Sequence, residues 1–101
     1  MEFKEFSEDM EEIFWEAIKT GDLETVLMFL EAGIDPNVQY AFGLVPLHLA
    51  IVHNRLEIVR LLLAVGADLD ITDEMGKTPL YYAIVYERVE IARLLRKYGA
   101  I

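Results

Sequence analysis

Three glycines divide the chain at a fixed interval of 33 residues: Gly33, Gly66 and Gly99. An Ala-Ile pair recurs at the same interval, beginning at positions 17, 50 and 83. Periods of about 20 to 50 residues are typical of repeat proteins, in which each unit buries its apolar face against its neighbours. The period therefore predicts a stack of similar units with an extended surface, and not a fold built around one central pocket.

The units read as helix, turn, helix, loop. Residues 40–68 and 73–101 are identical at fourteen of twenty-nine aligned positions. Thr78-Pro79 is typical of a helix start, and a glycine that follows an apolar helix is typical of its C-terminal cap. We expect an all-α fold with helices at about 8–19, 23–31, 46–53, 56–65, 79–86 and 89–98. At the turn between paired helices, Gly21 and Asn54 suit a left-handed backbone, whereas Glu87 does not.

The repeats also predict the domain organisation. We expect one domain over residues 1–101, with an N-terminal capping repeat at about 1–39, a middle repeat at about 40–72 and a C-terminal capping repeat at about 73–101. The middle repeat has the most apolar second helix, whereas the last repeat carries Arg96 and Lys97 where the middle one has Leu63 and Ala64. A charged outer side is what a terminal repeat needs.

The net charge of −9 lies entirely in the first 37 residues, because residues 38–101 are neutral overall. This distribution disfavours nucleic-acid phosphate as a partner and is compatible with a basic protein surface. The acidic first repeat either steers such a partner or only keeps the end of the stack solvated. The absence of cysteine, of a long apolar segment and of a secretory leader predicts a cytoplasmic protein that does not enter a membrane.

Two segments resemble the Thr-Pro-Leu-His-x-Ala signature of the ankyrin-repeat family: residues 43–50, GLVPLHLA, and residues 76–83, GKTPLYYA. Residues 56–68 resemble the second helix and exit of that repeat, and the likeness covers about residues 13–101. It implies a solenoid of three stacked helix-turn-helix units with hairpin-like finger loops, and a concave binding face of fingertips and first helices. The sequence departs from the signature at Val45, Tyr81, Trp15 and Ile101, which weakens single local bonds.

The sequence shows no arrangement of residues that is typical of a catalytic, cofactor or metal site. The chain has one serine, Ser7, no cysteine, and two histidines, His48 and His53, that lie on different sides of one helix. No nucleophile with its base and no phosphate-binding loop can be assembled, so we expect no enzyme, no cofactor and no metal site. The ankyrin resemblance makes His48 a structural histidine that bonds a loop. The carboxylates of residues 68, 70, 73 and 74 lack calcium-loop spacing and are interpreted as a solvated finger.

The resemblance directs attention to the positions that ankyrin repeats leave variable, and here several of them are apolar or aromatic. An exposed group of large apolar side chains is typical of an interface. Alternatively, the fingers fold onto each other or onto Phe3 and Phe6 and hide part of this surface. The predicted partner-binding residues are Tyr40, Phe42, Leu44, Val52, His53, Met75, Lys77, Val85 and Tyr86.

The sequence therefore predicts a non-enzymatic protein that binds a protein partner through its concave finger and first-helix surface. Two alternatives remain open. One is an inhibitor or immunity protein that occludes a basic enzyme such as a nuclease toxin. The other is a self-associating or engineered scaffold, in which the aromatic patch pairs with another copy.

Overall fold

The computed structural model describes residues 6–101, and within this range it contains six α-helices and no β-strand. The helices are α1 (Glu8–Thr20), α2 (Leu23–Glu31), α3 (Pro46–Val52), α4 (Leu56–Ala64), α5 (Pro79–Val85) and α6 (Val89–Lys97). A single 3-10 turn, Ala41–Gly43, lies in the loop before α3. The all-α prediction is confirmed, and each predicted helix boundary falls within one residue of the observed one.

The helices form three stacked pairs. The pairs are α1 with α2, α3 with α4, and α5 with α6; the first helices pack in one row and the second helices in another. The stack measures 41 × 26 × 23 Å, so it is elongated. Two long loops join the pairs, and we call them finger A (residues 34–45) and finger B (residues 67–78).

Periodic apolar positions fill the core between the pairs. Ile18 and Ile51, one repeat apart, are both 0% exposed, and the small side chains of Ala17, Ala50 and Ala83 let the paired helices approach. Trp15 and Phe14 are the largest buried side chains of the first repeat. The third isoleucine of the series, Ile84, lies on the outer side of the α5–α6 pair and is 53% exposed.

Two arginines join successive pairs through backbone oxygens. The Arg55 guanidinium donates to the Lys19 carbonyl at 2.6 and 3.0 Å. One repeat later, Arg88 donates to the Ile51 and Val52 carbonyls at 3.2 and 2.6 Å. The Lys19 and Val52 carbonyls lie at helix ends, where the helix supplies no donor, so each arginine satisfies an acceptor of the preceding pair. The Ile51 carbonyl also accepts from the Asn54 amide at 3.0 Å. The corresponding position of the first repeat is Asp22, which instead caps α2 by accepting from the Thr25 amide at 3.2 Å.

The turn inside each pair contains one left-handed residue, at equivalent positions of the three repeats. Gly21, Asn54 and Glu87 have φ values of 83°, 60° and 58°. A side chain with a Cβ is strained in this region, and asparagine tolerates it better than glutamate. The conflict predicted at Glu87 is therefore present.

We expect Glu87→Gly to raise the free energy of unfolding by up to ~1 kcal/mol, because glycine adopts the left-handed conformation without the clash of a Cβ. Urea unfolding measures this change in the free energy of unfolding. The matched control is Glu90→Gly inside α6, where glycine should destabilise by about 1 kcal/mol. A lower stability for Glu87→Gly would mean that the glutamate side chain makes a stabilising contact at this turn.

The outer side of the last pair is charged and apolar at once. Arg96 and Lys97 are exposed, as predicted, but so are Ile84 and Val89, at 53% and 59%. An open groove of about 480 Å³ is bordered by Ile84, Val89 and Arg96 together with Ala92 and Arg93. None of the helices in the described part of the chain is both long and apolar enough to cross a membrane.

Candidate protein-binding surface

The two fingers turn by different routes. In finger A the Tyr40 amide donates to the Leu44 carbonyl at 2.6 Å, and the turn at its tip places both Phe42 and Gly43 in the left-handed region, at φ 62° and 74°. In finger B the Asp73 amide donates to the Lys77 carbonyl at 3.1 Å, and only Gly76 is left-handed, at φ 78°. The sequence predicted a glycine turn in each finger, but not the left-handed phenylalanine.

Hydrogen bonds hold the two fingers side by side. The Glu74 amide donates to the Phe42 carbonyl at 3.0 Å, and the Asp68 amide donates to the Asn37 side-chain oxygen at 2.9 Å. Gly43 permits the close approach, since a Cβ there would lie 2.9 Å from the Glu74 amide nitrogen. The fingers therefore contact each other without hiding their tips. Phe6 packs elsewhere, on Phe29 of α2 with ring centroids 5.9 Å apart, and Phe3 lies outside the described residues.

Phe42 and Met75 occupy the same place in successive fingers, one repeat apart. Their side chains are 73% and 76% exposed, more than almost every other large apolar side chain of the described chain. Neither belongs to the core, and the fingers that carry them are joined by the Glu74 hydrogen bond. The structure thus presents two exposed apolar side chains at the tips of neighbouring fingers.

Tyr40 and Leu44, which the sequence places on an exposed patch, are half-buried. The Tyr40 ring lies 4.5 Å from the Trp15 ring, centroid to centroid, and Lys19 Nζ lies 5.4 Å from its centroid. This aromatic pair connects the first helix to finger A at a position where the next repeat uses a histidine. The expectation that both residues belong to an exposed patch is therefore wrong in their exposure: each is half-buried, and Tyr40 packs against the core beside Trp15.

The interpretation of the acidic residues as a solvated finger is wrong for Asp73, which is buried. Its side chain is 7% exposed, and one carboxylate oxygen accepts from the Met75 and Lys77 amides at 2.9 Å each. The other oxygen accepts from the Tyr82 hydroxyl. Burial alone would raise the pKa of Asp73, but the hydrogen bonds from Tyr82, Lys77 and Met75 outweigh it and the pKa is lowered. Asp68, Asp70 and Glu74 are exposed, as predicted.

His48 joins the middle repeat to finger B. Its Nδ1 accepts from the Val45 amide at 3.1 Å, which assigns the ring proton to Nε2, and Nε2 donates to the Lys77 carbonyl at 3.2 Å. The side chain is 0% exposed. The predicted structural role of His48 is therefore confirmed, and its imidazole also satisfies the amide of Val45, which has no hydroxyl to cap the helix.

The stability of the protein is expected to fall as the pH drops below about 6.5. Burial lowers the pKa of His48, so the folded state favours the neutral ring. The stabilisation from that preference is complete above the unfolded pKa of 6.5 and is lost as the pH falls through the lower folded value. A protonated ring could no longer accept from the Val45 amide.

Urea unfolding at pH 7.5 and pH 5.5 measures this dependence, with His48→Gln and His53→Asn as a matched pair. Burial and nearby cations also lower the pKa of His53, but that ring is exposed. His48→Gln should therefore remove more of the pH dependence than His53→Asn. If the free energy of unfolding changes equally between the two pH values in wild type and in His48→Gln, the pH dependence belongs to other groups.

Aromatic side chains form a row along α5, from the base of finger B to the C-terminal end of this helix. The Tyr82 ring lies 5.5 Å from His48 and 6.2 Å from Tyr86, and burial together with the Asp73 bond raises the pKa of Tyr82 to about 12. Sequence reasoning missed Tyr82 as a site residue because its position in the middle repeat is Leu49, a core residue.

The remaining predicted binding residues spread along the first-helix row. Tyr86 is 44% and Val85 53% exposed, and the Arg88 guanidinium lies 5.7 Å from the Tyr86 ring. His53 is exposed, whereas Val52 is half-buried and its carbonyl accepts from Arg88. Lys77 Nζ lies 4.6 Å from the Tyr81 ring. The structure thus places Phe42 and Met75 on hydrogen-bonded neighbouring fingers, and Val85 and Tyr86 at the far end of α5.

An acidic groove of about 330 Å³ borders finger A on the other side. It lies between the start of α1 and the base of the finger, with Tyr40, Ala41 and Trp15 forming its inner wall. Its carboxylates come from the first turns of α1: Glu8, Asp9, Glu11 and Glu12. Negative charge is stabilised at a helix N-terminus, and Ser7 caps this one by accepting from the Met10 amide at 3.2 Å. No group of three metal-ligating side chains occurs among residues 6–101.

These features define a class of protein: an α-helical repeat stack that carries paired fingers along one side. Residues 14–101 match the family model of ankyrin repeats in three copies, so the chain belongs to the ankyrin-repeat family. Ankyrin repeats are in general modules of protein–protein interaction, bind protein partners and are typically non-enzymatic. A comparison with curated proteins gave no match.

Proposed function

We propose that this protein is a non-enzymatic binding module that recognises another protein through its fingertips and first helices. The observation that carries the proposal is the exposure of Phe42 and Met75 at equivalent positions of two hydrogen-bonded fingers. Large apolar side chains held together at a surface are typical of interfaces, and aromatic ones are enriched among the residues that dominate affinity. A cytoplasmic location is part of this proposal, and the cysteine-free composition favours it.

Within this surface we assign different roles to the predicted residues. Phe42 and Met75 are the apolar anchors, and Tyr86 with Val85 extends the contact along α5. Tyr40 supports finger A through its contact with Trp15, the half-buried Leu44 adds a smaller apolar contact, and His53 and Lys77 provide polar contacts at the edge. The exposed fractions support this ranking, since an anchor must be free to become buried on binding.

The inhibitor alternative is favoured by the acidic groove beside finger A. A basic enzyme could meet the groove and the fingertips at once, and electrostatic complementarity would speed their association. Within this proposal the preferred partner would be a basic enzyme, such as a nuclease toxin, whose active site the fingers cover. Nucleic acid itself fits poorly, because the carboxylates would repel its phosphates.

Self-association is favoured by the open groove on the last pair, but one contact opposes it. In a head-to-tail stack of two copies, Asp22 would take the place that Arg55 and Arg88 take within the chain. Its carboxylate would then meet the terminal carbonyls of α5 instead of a guanidinium, which is repulsive. We therefore rank a foreign protein partner above a second copy.

The double variant Phe42→Ala with Tyr86→Ala should abolish partner binding, because truncating an interface anchor commonly weakens binding by at least ~2 kcal/mol. A pull-down from the source cell identifies the partner. Calorimetry then measures the affinity of the wild type and of the double variant for that partner. The control is Met28→Ala with Tyr98→Ala, two exposed side chains outside the surface. Unchanged affinity of the first double variant, with a cooperative unfolding transition that shows it to be folded, would remove the finger surface as the binding site.

A further inference from the structure

We propose that Phe42 is a strained anchor for a basic protein segment: its left-handed backbone holds the aromatic ring at the fingertip, beside carboxylates that select lysine or arginine in the partner. The inference rests on the proposed function, which it deepens by naming the chemistry of the partner. It begins with the backbone at Phe42, where φ is 62° and ψ is 22°. A bulky side chain in this region is a genuine outlier, and such outliers persist only where the surroundings impose them.

The ankyrin architecture does not require the strain. Finger B carries Met75 at the same position and turns with only Gly76 left-handed. Nor does burial of the ring compensate, since Phe42 is 73% exposed. What holds the conformation is the bond from the Glu74 amide to the Phe42 carbonyl, at 3.0 Å, together with the close approach at Gly43. The conformation thus directs the Phe42 carbonyl to the Glu74 amide of finger B and, at the same time, fixes the position of an exposed ring.

The negative charge around finger A indicates which kind of partner segment binds there. Glu74 lies against finger A, and the acidic groove with its four carboxylates reaches Ala41, the neighbour of Phe42. Two lysines, Lys19 and Lys77, lie over the rings of Tyr40 and Tyr81. Within residues 6–101 the one ion pair is Arg60 with Glu57, on α4. The carboxylates around finger A therefore have no cationic partner in the described part of the chain.

A basic protein segment would complement both the carboxylates around finger A and the exposed ring of Phe42. Its lysine or arginine side chains would meet the groove carboxylates, while a large apolar side chain packs against the ring of Phe42 and the side chain of Met75. A second copy of this chain fits poorly, because a symmetric contact would bring the two acidic grooves of finger A together. The occupant that the surface fits is therefore a foreign protein segment that combines positive charge with a large apolar residue.

The strain is tested on the free protein. Phe42→Gly should raise the midpoint of thermal unfolding by about 3–6 °C, because glycine adopts the left-handed conformation without a clash. Phe42→Ala keeps a Cβ in that region and should give a clearly smaller rise. Met75→Gly, at the equivalent position of finger B, should give none. A midpoint that falls in Phe42→Gly would overturn the claim of strain.

The partner chemistry is tested with a displayed library of random linear peptides selected on the wild-type protein. We expect the selected peptides to be rich in lysine or arginine and to carry a large apolar residue. A synthetic copy should bind Phe42→Gly at least about tenfold more weakly than wild type, and binding should also weaken with Glu8→Gln plus Glu12→Gln. Met28→Ala, an exposed change on α2, should leave the affinity unchanged.

The outcomes separate this inference from the proposed function. Peptides that lose affinity with Met75→Ala or Tyr86→Ala, but bind Phe42→Gly as tightly as wild type, would overturn the inference and leave the proposed function standing. Selected peptides without enrichment in lysine or arginine would also overturn it. Peptides that bind all finger variants as tightly as wild type would contradict the proposed function itself.

Discussion

Trp15→Ala is expected to lower the free energy of unfolding by about 3–5 kcal/mol, the range found when a buried aromatic side chain is truncated to alanine. Trp15 is 2% exposed and its ring contacts Phe14 and Tyr40, with centroids 5.6 and 4.5 Å away. The substitution removes the aromatic contact that joins the first helix to finger A. Because a domain of this size is stable by only about 5–15 kcal/mol, the loss is a large share of the total.

Urea unfolding followed by far-UV circular dichroism measures this effect. In a linear stack the first pair can unfold before the others, so a second transition in the variant would agree with the account. Ile13→Ala on the same helix is the control, since Ile13 is 56% exposed and its truncation should have a small effect. Equal stabilities for Trp15→Ala and Ile13→Ala would contradict the packing described here.

Asp73→Ala is expected to destabilise the protein by about 2–3 kcal/mol, because it removes the acceptor of three hydrogen bonds at once. Hydrogen bonds to a charged acceptor are stronger than neutral ones, and the Met75 and Lys77 amides would lose their partner inside finger B. The control is Asp70→Ala in the same finger, where the carboxylate is exposed and the change should matter little.

A double-mutant cycle with Tyr82→Phe isolates the contribution of the Tyr82 hydroxyl, with thermal and urea unfolding as the measurements. We expect the two changes together to destabilise less than the sum of the single changes, since both remove the same bond. Strict additivity would show that the Tyr82 hydroxyl and the Asp73 carboxylate act independently. Loss of order in finger B should also weaken partner binding, because Met75 lies on that finger.

The sequence predicted the fold closely because its signals are local and repeated. Gly66 ends a helix with φ 93°, and Thr78 accepts from the Tyr81 amide at 3.1 Å, as a helix cap should. Each such signal acts within one turn of helix, so tertiary packing has little opportunity to override it. The same holds for Glu87, whose conflict with a left-handed turn is visible in the sequence and present in the structure.

The candidate site was harder to predict, because its geometry depends on contacts between fingers. The sequence predicts a solvated Asp73, yet in the structure its carboxylate is buried and accepts from the Met75 and Lys77 amides inside finger B. Alignment with Tyr40 does not reveal this, because the sequence predicts an exposed side chain at that position too. The left-handed Phe42 had no signal in the sequence either, since alignment with Met75 suggests an ordinary turn and the bond from Glu74 arises only when the fingers meet.

The most direct test of the central claim is site-specific photocrosslinking in the source cell. A benzophenone analogue of phenylalanine at position 42 keeps the shape of the ring, and the same analogue at position 28 reports an exposed site on α2. The account predicts one dominant adduct with a foreign protein from position 42, which an excess of unlabelled wild type suppresses and an excess of the Phe42→Ala, Tyr86→Ala variant does not. Equal adducts from both positions, or none from position 42 when position 28 gives one, would contradict it.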